Sequence, residues 1–228
     1  MKISGLMKLT LLDFPEHVAC TVFLAGCNFR CPFCHNGSLV RGGDLDISRE
    51  ELLAFLKKRQ GVLDGVCITG GEPLLNPEVG ELIREIRALG YLVKLDTNGS
   101  FPERLEKLLL EELVDYVAMD VKSGMNGYER ACGASVDLAK IQKSIGLLKS
   151  SGVAHEFRTT VVKGIHTAED IAECARIVGE GESYFLQSYT ESDDIIAPDG
   201  LSAFSKDELD EILAAAQKFN TKTKLRGA

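Results

Sequence analysis

Several features are scarce in or missing from this sequence of 228 residues. No stretch approaches the roughly 18 consecutive apolar residues that a membrane-spanning helix needs. Basic residues are outnumbered, with 26 Lys and Arg against 34 Asp and Glu, and the formal net charge is −8. Such a balance argues against a nucleic acid or an anionic membrane surface as the main partner. Linkers, low-complexity segments and short repeats are missing as well, so we expect one domain over residues 1–228.

A disulfide framework and an export signal are further absences. The seven cysteines are an odd number without a regular framework, which favours a reducing compartment and metal or redox chemistry. Leu24-Ala25-Gly26-Cys27 resembles a lipoprotein cleavage site. However, charged residues and a proline between Asp13 and His17 interrupt the apolar region that an export signal needs. We therefore predict a cytoplasmic protein that is neither exported nor embedded in a membrane.

Short apolar runs alternate with amphipathic helical patterns along the whole chain. The runs are mostly β-branched or aromatic and apolar on both faces, as buried parallel strands are. Repeated strand-helix pairs of this kind, too few for a closed eight-stranded barrel, leave an open barrel or a doubly wound sheet. We predict an α/β fold, an incomplete (β/α)6 barrel similar to a TIM barrel, with a parallel sheet. The predicted strands are 20–24, 66–69, 92–96, 116–119, 157–162 and 184–187.

The helices carry start and stop signals in the sequence. Capping boxes begin at Ser48, Thr167 and Ser205, and the last of these predicts a C-terminal helix over about 205–220. Asn76 before Pro77 predicts a further helix start. Glycines predict three helix ends, at Gly90, Gly152 and Gly179.

A loop predicted over residues 25–40 follows the first strand and carries Cys27, Cys31 and Cys34, spaced C-x3-C-x2-C. We call it the cluster loop. In parallel α/β folds, reactive groups gather at the carboxyl ends of the strands. Three thiolates on one loop can hold three irons of a 4Fe-4S cluster and leave the fourth iron open to a substrate.

Three other interpretations of these cysteines stay open. Cys31 and Cys34 are spaced like a glutaredoxin-like redox pair, although Cys27 has no role there. With His35 they also match the pattern for c-type haem attachment, a chemistry of exported proteins. A structural zinc held by three cysteines and His35 is chemically allowed, although neighbouring Cys34 and His35 would strain a tetrahedral site. The remaining Cys20, Cys67, Cys132 and Cys174 lack ligand spacing, and we expect them to pack in the core.

Polar residues also follow the later strands. Gly70-Gly71-Glu72-Pro73 follows the second, where two glycines allow close backbone approach and a carboxylate can pair with an ammonium group. Asp96-Thr97-Asn98-Gly99 ends the third strand, and Asp120 ends the fourth. Their oxygens suit either a hard cation or a hydrogen-bond network. Lys122 and Arg158 add positive charge that suits a carboxylate.

Taken together, C-x3-C-x2-C, Gly-Gly-Glu-Pro and the Asp-Thr-Asn-Gly turn resemble the radical S-adenosylmethionine superfamily over nearly the whole chain. Cys34-His35-Asn36, Leu95 to Gly99 and Asp120-Val121-Lys122 resemble its glycyl-radical-enzyme activases. The resemblance implies that Cys27, Cys31 and Cys34 hold a 4Fe-4S cluster whose open iron binds the methionine part of S-adenosylmethionine. One electron from the cluster would cleave that cofactor to methionine and a 5'-deoxyadenosyl radical, which removes a glycine hydrogen from a partner enzyme.

The resemblance also implies roles for the remaining candidates. The amino group of S-adenosylmethionine would be taken by the Gly70 to Glu72 motif, chiefly Gly71 and Glu72. Phe33 and His35 would lie against the adenine, and Arg158 and Lys122 would balance the carboxylate or the ribose edge. Asp96, Thr97 and Asp120 would form a monovalent-cation site, and Asn98 belongs to the same cofactor-binding turn.

Within this branch, Leu11-Leu12-Asp13-Phe14-Pro15 looks most similar to activators of anaerobic ribonucleoside-triphosphate reductase. Pyruvate formate-lyase activases are the second candidate, but their Asp-Gly-Pro-Gly motif reads Asp-Phe-Pro-Glu here, which leaves the role of Asp13 open. The resemblance implies flavodoxin or ferredoxin as the electron donor. A radical enzyme acting on a small molecule, and a thiol-disulfide oxidoreductase using Cys31 and Cys34, are the alternatives. No catalytic role is assigned to the remaining rim residues His155, His166, Tyr128 and Tyr189.

Overall fold

The structure is a computed structural model that describes residues 1–227. Eight strands form one sheet: β1 (Ile3–Thr10), β2 (Ala19–Leu24), β3 (Gly65–Gly70), β4 (Leu92–Thr97), β5 (Tyr116–Asp120), β6 (Ala154–Val161), β7 (Tyr184–Ser188) and β8 (Lys224–Arg226). The helices are α1 (Gly37–Val40), α2 (Arg49–Arg59), α3 (Val79–Ala88), α4 (Pro102–Leu110), α5 (Tyr128–Cys132), α6 (Leu138–Ser151), α7 (Ala168–Val178) and α8 (Lys206–Gln217). None of the helices within these residues is long and apolar enough to cross a membrane.

The strands lie in the sheet in their chain order, from β1 to β8. Neighbours from β2 to β8 are parallel, and only β1 runs antiparallel, along β2. Helices connect the successive parallel strands. This sequential order belongs to an open barrel and not to a doubly wound sheet, in which the strand order reverses at a switch point. The predicted α/β fold with a parallel sheet is confirmed.

All six predicted strands are present, and two strands were missed. β1 is half-exposed, with Met7 and Leu9 open to solvent, so it lacks the buried apolar run on which the prediction relied. β8 has only three residues, two of them charged, and exists because it pairs with β7. The C-terminal helix predicted over about 205–220 is present as α8, and β8 follows it.

Helix ends follow the local signals in most places. The capping boxes at Ser48, Thr167 and Ser205 are all present, and Gly152 ends α6 in the left-handed conformation. The predicted start at Asn76 is wrong, because residues 73–75 form a short 3-10 turn and α3 begins only after Glu78.

Alternation along the strands separates two environments. One face packs against the helices through fully buried aliphatic and aromatic side chains, which include Val22, Ile68, Leu95, Val117 and Phe157. The opposite, concave face carries polar side chains. Asp96 on β4 contacts Arg158 on β6 across the intervening β5, which is only possible on the concave side. The sheet therefore holds its charged groups inside the open barrel.

Candidate active site

A cavity of about 250 Å³ opens at the carboxyl ends of the parallel strands. One wall is the cluster loop, and the other is formed by the ends of β3 to β7. The predicted site residues that line it are Cys27, Cys31, Phe33, Cys34, His35, Gly70, Gly71, Asp96, Thr97, Asn98, Asp120, Lys122 and Arg158. Glu72 is the exception. The structure thus brings residues from five segments of the sequence to one cavity.

Main-chain hydrogen bonds hold the cluster loop at several points. The amide of Gly26, directly before Cys27, donates to the carbonyl of Leu39 in α1 at 2.9 Å. The Arg30 amide donates to the carbonyl of Cys132 at 2.8 Å, and the Cys34 amide to that of Cys31 at 3.0 Å. These bonds fold the loop so that all three motif cysteines reach the cavity.

Burial and hydrogen bonding affect the three thiols differently. Burial raises the pKa of Cys27 to about 12 and also raises the pKa of Cys34. A hydrogen bond from the Cys132 thiol lowers the pKa of Cys31. The Lys122 ammonium acts on all three in the direction of the thiolate. Lys122 therefore favours the thiolate, the form in which cysteine binds metals, in all three motif residues.

Cys132 is a residue whose position the sequence does not reveal. It is buried, as are Cys20, Cys67 and Cys174, so core packing is confirmed for all four. Unlike the other three, however, Cys132 reaches the cluster loop through both its carbonyl and its thiol. It lies at the end of α5, about a hundred residues beyond the motif in the sequence, and only the fold brings the two together.

Two glycines place the end of β3 directly against the start of the cluster loop. A side-chain carbon added at Gly70 would lie 2.3 Å from the Leu24 carbonyl oxygen, and one at Gly71 would lie 2.1 Å from that of Gly26. The Gly71 and Glu72 amides donate to these same two carbonyls, at 2.9 and 2.8 Å. The close backbone approach predicted from the glycine pair is therefore present, and it joins the two walls at their base.

Glu72, predicted with Gly71 to take the amino group of the cofactor, is not among the residues that line the cavity. The residue is 0% exposed. Its Oε1 accepts hydrogen bonds from the Leu74 amide at 2.9 Å and the Thr97 hydroxyl at 2.8 Å, and its Oε2 accepts one from the Asn98 amide at 2.6 Å. Burial raises its pKa to about 7, against the effect of these donors. In this arrangement Glu72 shapes the 97–99 turn, and only the neighbouring glycine backbone faces the cavity.

The opposite wall is an ionic group that we call the strand-end network: Lys94, Asp96, Asp120, Lys122 and Arg158. The Arg158 guanidinium donates to Asp120 through Nε at 2.9 Å and to Asp96 through Nη1 at 3.2 Å. Lys122 donates to Asp120 at 2.8 Å, and Lys94 pairs with Asp96. Three basic groups thus surround two carboxylates on the concave face.

The charges of this network stabilise one another. Burial alone would raise the pKa of Asp120, but Arg158 and Lys122 outweigh it and hold that pKa well below its usual range. Burial would likewise lower the pKa of Arg158 and of Lys122, but the carboxylate of Asp120 raises both. All three groups are therefore charged at neutral pH. Lys122 and Arg158 line the cavity beside Asp96 and Asp120, so two cationic groups stand ready to pair with an anionic group such as a carboxylate.

The oxygens predicted to bind a monovalent cation already have partners. Asp96 and Asp120 are paired with the basic groups above, and the Thr97 hydroxyl donates to Glu72. Within residues 1–227, no three His, Cys, Asp or Glu side chains converge on a position for a single metal ion. The monovalent-cation site stays a prediction, and in this geometry the oxygens named for it bond to other groups of the protein.

Of the six cavity residues that the sequence interpretation missed, three lie near strand ends and three in the cluster loop. Thr160 lies two positions after Arg158 on β6, so the two-residue alternation of a strand could have found it. Asn98 reaches the cluster loop, because its side-chain amide donates to Asn28 at 3.0 Å. The missed lining residues are Phe29, Asn36, Val40, Thr69, Thr160 and Gln187.

The residues left without a role have structural partners. Asp13 accepts a hydrogen bond from the Thr21 hydroxyl at 2.5 Å, and His155 contacts Glu182 at 3.0 Å. His166 accepts from the Val162 amide through Nδ1 and contacts the Lys122 carbonyl through Nε2, and burial lowers its pKa. Tyr189 lies against His35, with ring centroids 5.7 Å apart. None of these four lines the cavity.

The fold is an open parallel barrel, and the three motif cysteines follow its first parallel strand. This arrangement is typical of an enzyme that binds its cofactor at the carboxyl ends of the strands. The chain belongs to the radical SAM superfamily, whose family description matches residues 21–178. The family implies a 4Fe-4S cluster and S-adenosylmethionine. Three thiols on one wall beside the Lys122 ammonium, facing the basic strand-end network, fit both groups.

Individual relatives extend the comparison. The chain is 35% identical over 199 residues, 84% of its length and 81% of the relative's, to the "Putative glycyl-radical enzyme activating enzyme" of Methanocaldococcus jannaschii. It is 29% identical over 157 residues to the pyruvate formate-lyase-activating enzyme of Clostridium pasteurianum, covering 64% and 65% of the two chains. A shorter stretch of 86 residues is 43% identical to a 7-carboxy-7-deazaguanine synthase of Methanospirillum hungatei, covering 36% and 35%.

Among solved structures, a domain of a pyruvate-formate lyase-activating enzyme from Bacteroides vulgatus superposes with a TM-score of 0.57 at 19% identity. The match covers 72% of this chain and 99% of that domain. At this level of identity the likeness concerns the fold alone.

Proposed function

We propose that this protein is a radical S-adenosylmethionine activating enzyme that generates a glycyl radical on a partner enzyme. The observation that carries the proposal is the cavity itself, in which Cys27, Cys31 and Cys34 face the Gly70-Gly71 backbone and the strand-end network. The long match to the Methanocaldococcus jannaschii protein, whose name describes an activating enzyme of this kind, supports the choice within the superfamily.

When bound, the cluster supplies the electron that cleaves S-adenosylmethionine reductively. The residues of this chain bind and orient. Cys27, Cys31 and Cys34 hold the cluster, and the backbone at Gly71 receives the amino group. Lys122 and Arg158, whose charges are fixed by Asp120, balance the carboxylate. Phe33, only 4% exposed, excludes water beside the cysteines, and His35 is held neutral because burial lowers its pKa.

Anaerobic ribonucleoside-triphosphate reductase is the partner we propose. The segment that supports it, residues 11–15, lies on the surface between β1 and β2, where Leu11 and Leu12 are 69% and 90% exposed. Exposed neighbouring leucines suit contact with another protein. Flavodoxin or ferredoxin is the proposed electron donor. Pyruvate formate-lyase is the alternative partner. A small-molecule substrate is the second candidate function, favoured by the short match to a deazaguanine synthase.

The first experiment tests the cofactor chemistry. Protein reconstituted anaerobically with iron and sulfide is reduced, mixed with S-adenosylmethionine and assayed for 5'-deoxyadenosine. We expect Cys27→Ala, Cys31→Ala and Cys34→Ala each to abolish cleavage. The matched control is Cys20→Ala, since Cys20 lies buried on β2 and does not line the cavity. Full cleavage by Cys27→Ala would refute the cluster assignment and favour a Cys31-Cys34 redox pair.

The second experiment identifies the partner. The reconstituted protein is incubated separately with anaerobic ribonucleoside-triphosphate reductase, with pyruvate formate-lyase and without any protein, and the electron paramagnetic resonance signal of a glycyl radical is measured. A signal on the reductase alone supports the proposal, and a signal on the lyase alone replaces the partner. Cleavage with no signal on either enzyme would favour the small-molecule substrate.

A further inference from the structure

The helix α1 sits at the end of the cluster loop and is too short to be stable by itself. It has four residues and begins three positions after Cys34. Its N-cap residue, Asn36, makes no side-chain capping hydrogen bond. A helix of one turn has nearly all of its amide groups unpaired unless other groups accept from them. Something outside the loop must therefore hold it.

Asp194, distant in the sequence, supplies the missing cap. Its main-chain oxygen accepts from the Gly37 amide at 3.1 Å. Its carboxylate accepts from the Ser38 amide at 2.9 Å and from the Ser38 hydroxyl at 2.7 Å. It also pairs with Arg41 at 3.0 Å. The approach is close, because a side-chain carbon added at Gly37 would lie 2.4 Å from the Asp194 oxygen.

The chain around Asp194 contacts both sides of Cys34. We call residues 189–197 the strap. At its end, the Ala197 amide donates to the Pro32 carbonyl at 3.0 Å, before Cys34. At its start, the Tyr189 ring lies against His35, after Cys34. The strap therefore holds the last cysteine of the motif from two directions.

The anchored helix is in turn bonded to the beginning of the motif. The Leu39 carbonyl of α1 accepts from the Gly26 amide, directly before Cys27. Displacement of α1 would thus affect Cys27 as well as Cys34. Through α1, Asp194 is therefore connected to both ends of the three-cysteine motif, by a hydrogen bond to Gly26 and by the short chain segment after Cys34.

We propose that Asp194 is a positioning residue for the iron-sulfur cluster, and that its carboxylate caps α1 and keeps the cysteine loop in the geometry that retains the metal. This inference rests on the proposed function, because it assumes that the loop holds a cluster. Asp194 is not among the residues that line the cavity. It acts through α1 and through the strap to which it belongs.

The test compares Asp194→Ala with Asp193→Ala, a neighbour that is exposed. In metal-free protein, hydrogen exchange of the amides of residues 37–41 is measured. In reconstituted protein, the rate of iron release to a chelator is measured. We expect both rates to rise about tenfold in Asp194→Ala, the size that loss of a helix cap and its charge-assisted bonds produces. Asp193→Ala should stay within about twofold of the unmodified protein, as surface changes usually do.

Two further variants separate positioning from a general loss of structure. Asp194→Asn keeps an acceptor oxygen for the Ser38 amide and should recover most of the loss. Ser38→Ala removes only the hydroxyl bond and should raise the rates severalfold, even if Asp194→Ala proves too unstable to purify. The urea midpoint of global unfolding should change little in both, because the buried α1 residues Leu39 and Val40 keep their packing.

The outcomes distinguish the two proposals. If hydrogen exchange and iron release are as slow in Asp194→Ala as in Asp193→Ala, the proposed role of Asp194 is wrong. The assignment of the cluster to the three cysteines would be unaffected. Failure of the unmodified protein to take up iron would instead overturn the proposed function. In that case the exchange measurement on metal-free protein would still support or refute the anchoring of α1 by Asp194.

Discussion

The two walls of the cavity are held together in different ways. The cluster loop is fixed by main-chain hydrogen bonds, and by contacts from the distant residues Cys132 and Asp194. The strand-end network is fixed by ion pairs between side chains at the ends of β4, β5 and β6, with Arg158 only 14% exposed in its pairs. The wall formed by the cluster loop, the loop wall, thus depends on contacts from residues far away in the sequence. The wall formed by the strand ends, the sheet wall, is part of the sheet itself.

This difference separates the loss of the cofactor from the loss of the fold. The motif cysteines contribute thiols to the cavity but few side-chain hydrogen bonds to the rest of the protein, so their removal should leave the barrel folded. The strand-end network is largely shielded from solvent, with side chains at most 28% exposed, and breaking a shielded ion pair leaves an uncompensated charge. We therefore expect substitutions on the sheet wall to lower the free energy of unfolding. Substitutions on the loop wall should mainly weaken the binding of the cluster.

The largest effect on stability is expected from Arg158→Met. The change leaves Asp96 and Asp120 without the cation that bridges them, although Lys94 and Lys122 remain. We expect a loss of about 3 kcal/mol in the free energy of unfolding, the lower end for a broken buried pair. Urea denaturation of the metal-free protein measures it.

Arg30→Met is the matched control on the loop wall. The Arg30 guanidinium is on the surface and donates to the carbonyls of Cys27 and Phe29. Its loss should cost less than about 1 kcal/mol, the usual net value of one exposed hydrogen-bonding group. Equal costs for the two arginine changes would contradict the contrast between the walls.

Glu72 lies at the base, where the walls meet, and Glu72→Gln should have the next largest effect. The amide group can replace only one carboxylate oxygen as an acceptor, so either the Asn98 amide or the Thr97 and Leu74 donors lose their partner. We expect a loss of about 2 kcal/mol at pH 7.5, within the range for a buried unsatisfied donor.

The same variant also changes how stability depends on pH. Glu72 has a pKa of about 7 in the folded protein, above its ordinary value of 4.5. The folded state therefore holds a proton that the unfolded state releases, and the stability contributed by Glu72 falls as pH rises between these two values. Glu72→Gln should remove this slope in denaturation measured from pH 4.5 to 7.5. If Glu72→Gln and the unmodified protein have the same slope, the Glu72 carboxylate is ionised over this whole pH range.

The fold and much of the site were readable from the sequence for identifiable reasons. Buried parallel strands produce apolar runs, so all six were predicted, whereas β8 exists only through its pairing with β7. Cysteine spacing and strand-end residues such as Asp120 are local signals. The pairing of Asp120 with Arg158, however, depends on which residues become neighbours across β5 and β6.

The contacts that hold the loop wall could not be predicted, because they also join residues that are far apart in the sequence. Asp194 lies in an irregular segment with no motif, and its partner Ser38 is 156 residues away. Cys132 resembles any other small core residue in the sequence. Glu72 was expected to pair with an ammonium group because its carboxylate follows two glycines. In the structure, that carboxylate accepts hydrogen bonds from Thr97 and Asn98. Local sequence patterns do not show which polar groups from distant parts of the chain will form hydrogen bonds with each other.

The smallest expected effect comes from His166, which links the two walls. Its ring lies edge-on to Phe33 on the loop wall, with centroids 5.9 Å apart, and its Nε2 contacts the Lys122 carbonyl on the sheet wall. Since Nδ1 accepts from the Val162 amide, Nε2 carries the proton of a neutral ring. Burial lowers the pKa of His166 below its ordinary value of 6.5.

Protonation of His166 should therefore loosen both walls together at acidic pH. The unfolded state takes up the proton near pH 6.5 and the folded state only at lower pH, so stability is lost as pH falls below 6.5. His166→Gln, which cannot be protonated, should lack this decline. Urea midpoints of both proteins between pH 5 and 7.5 measure the difference, and parallel curves would mean that His166 does not titrate across the two walls.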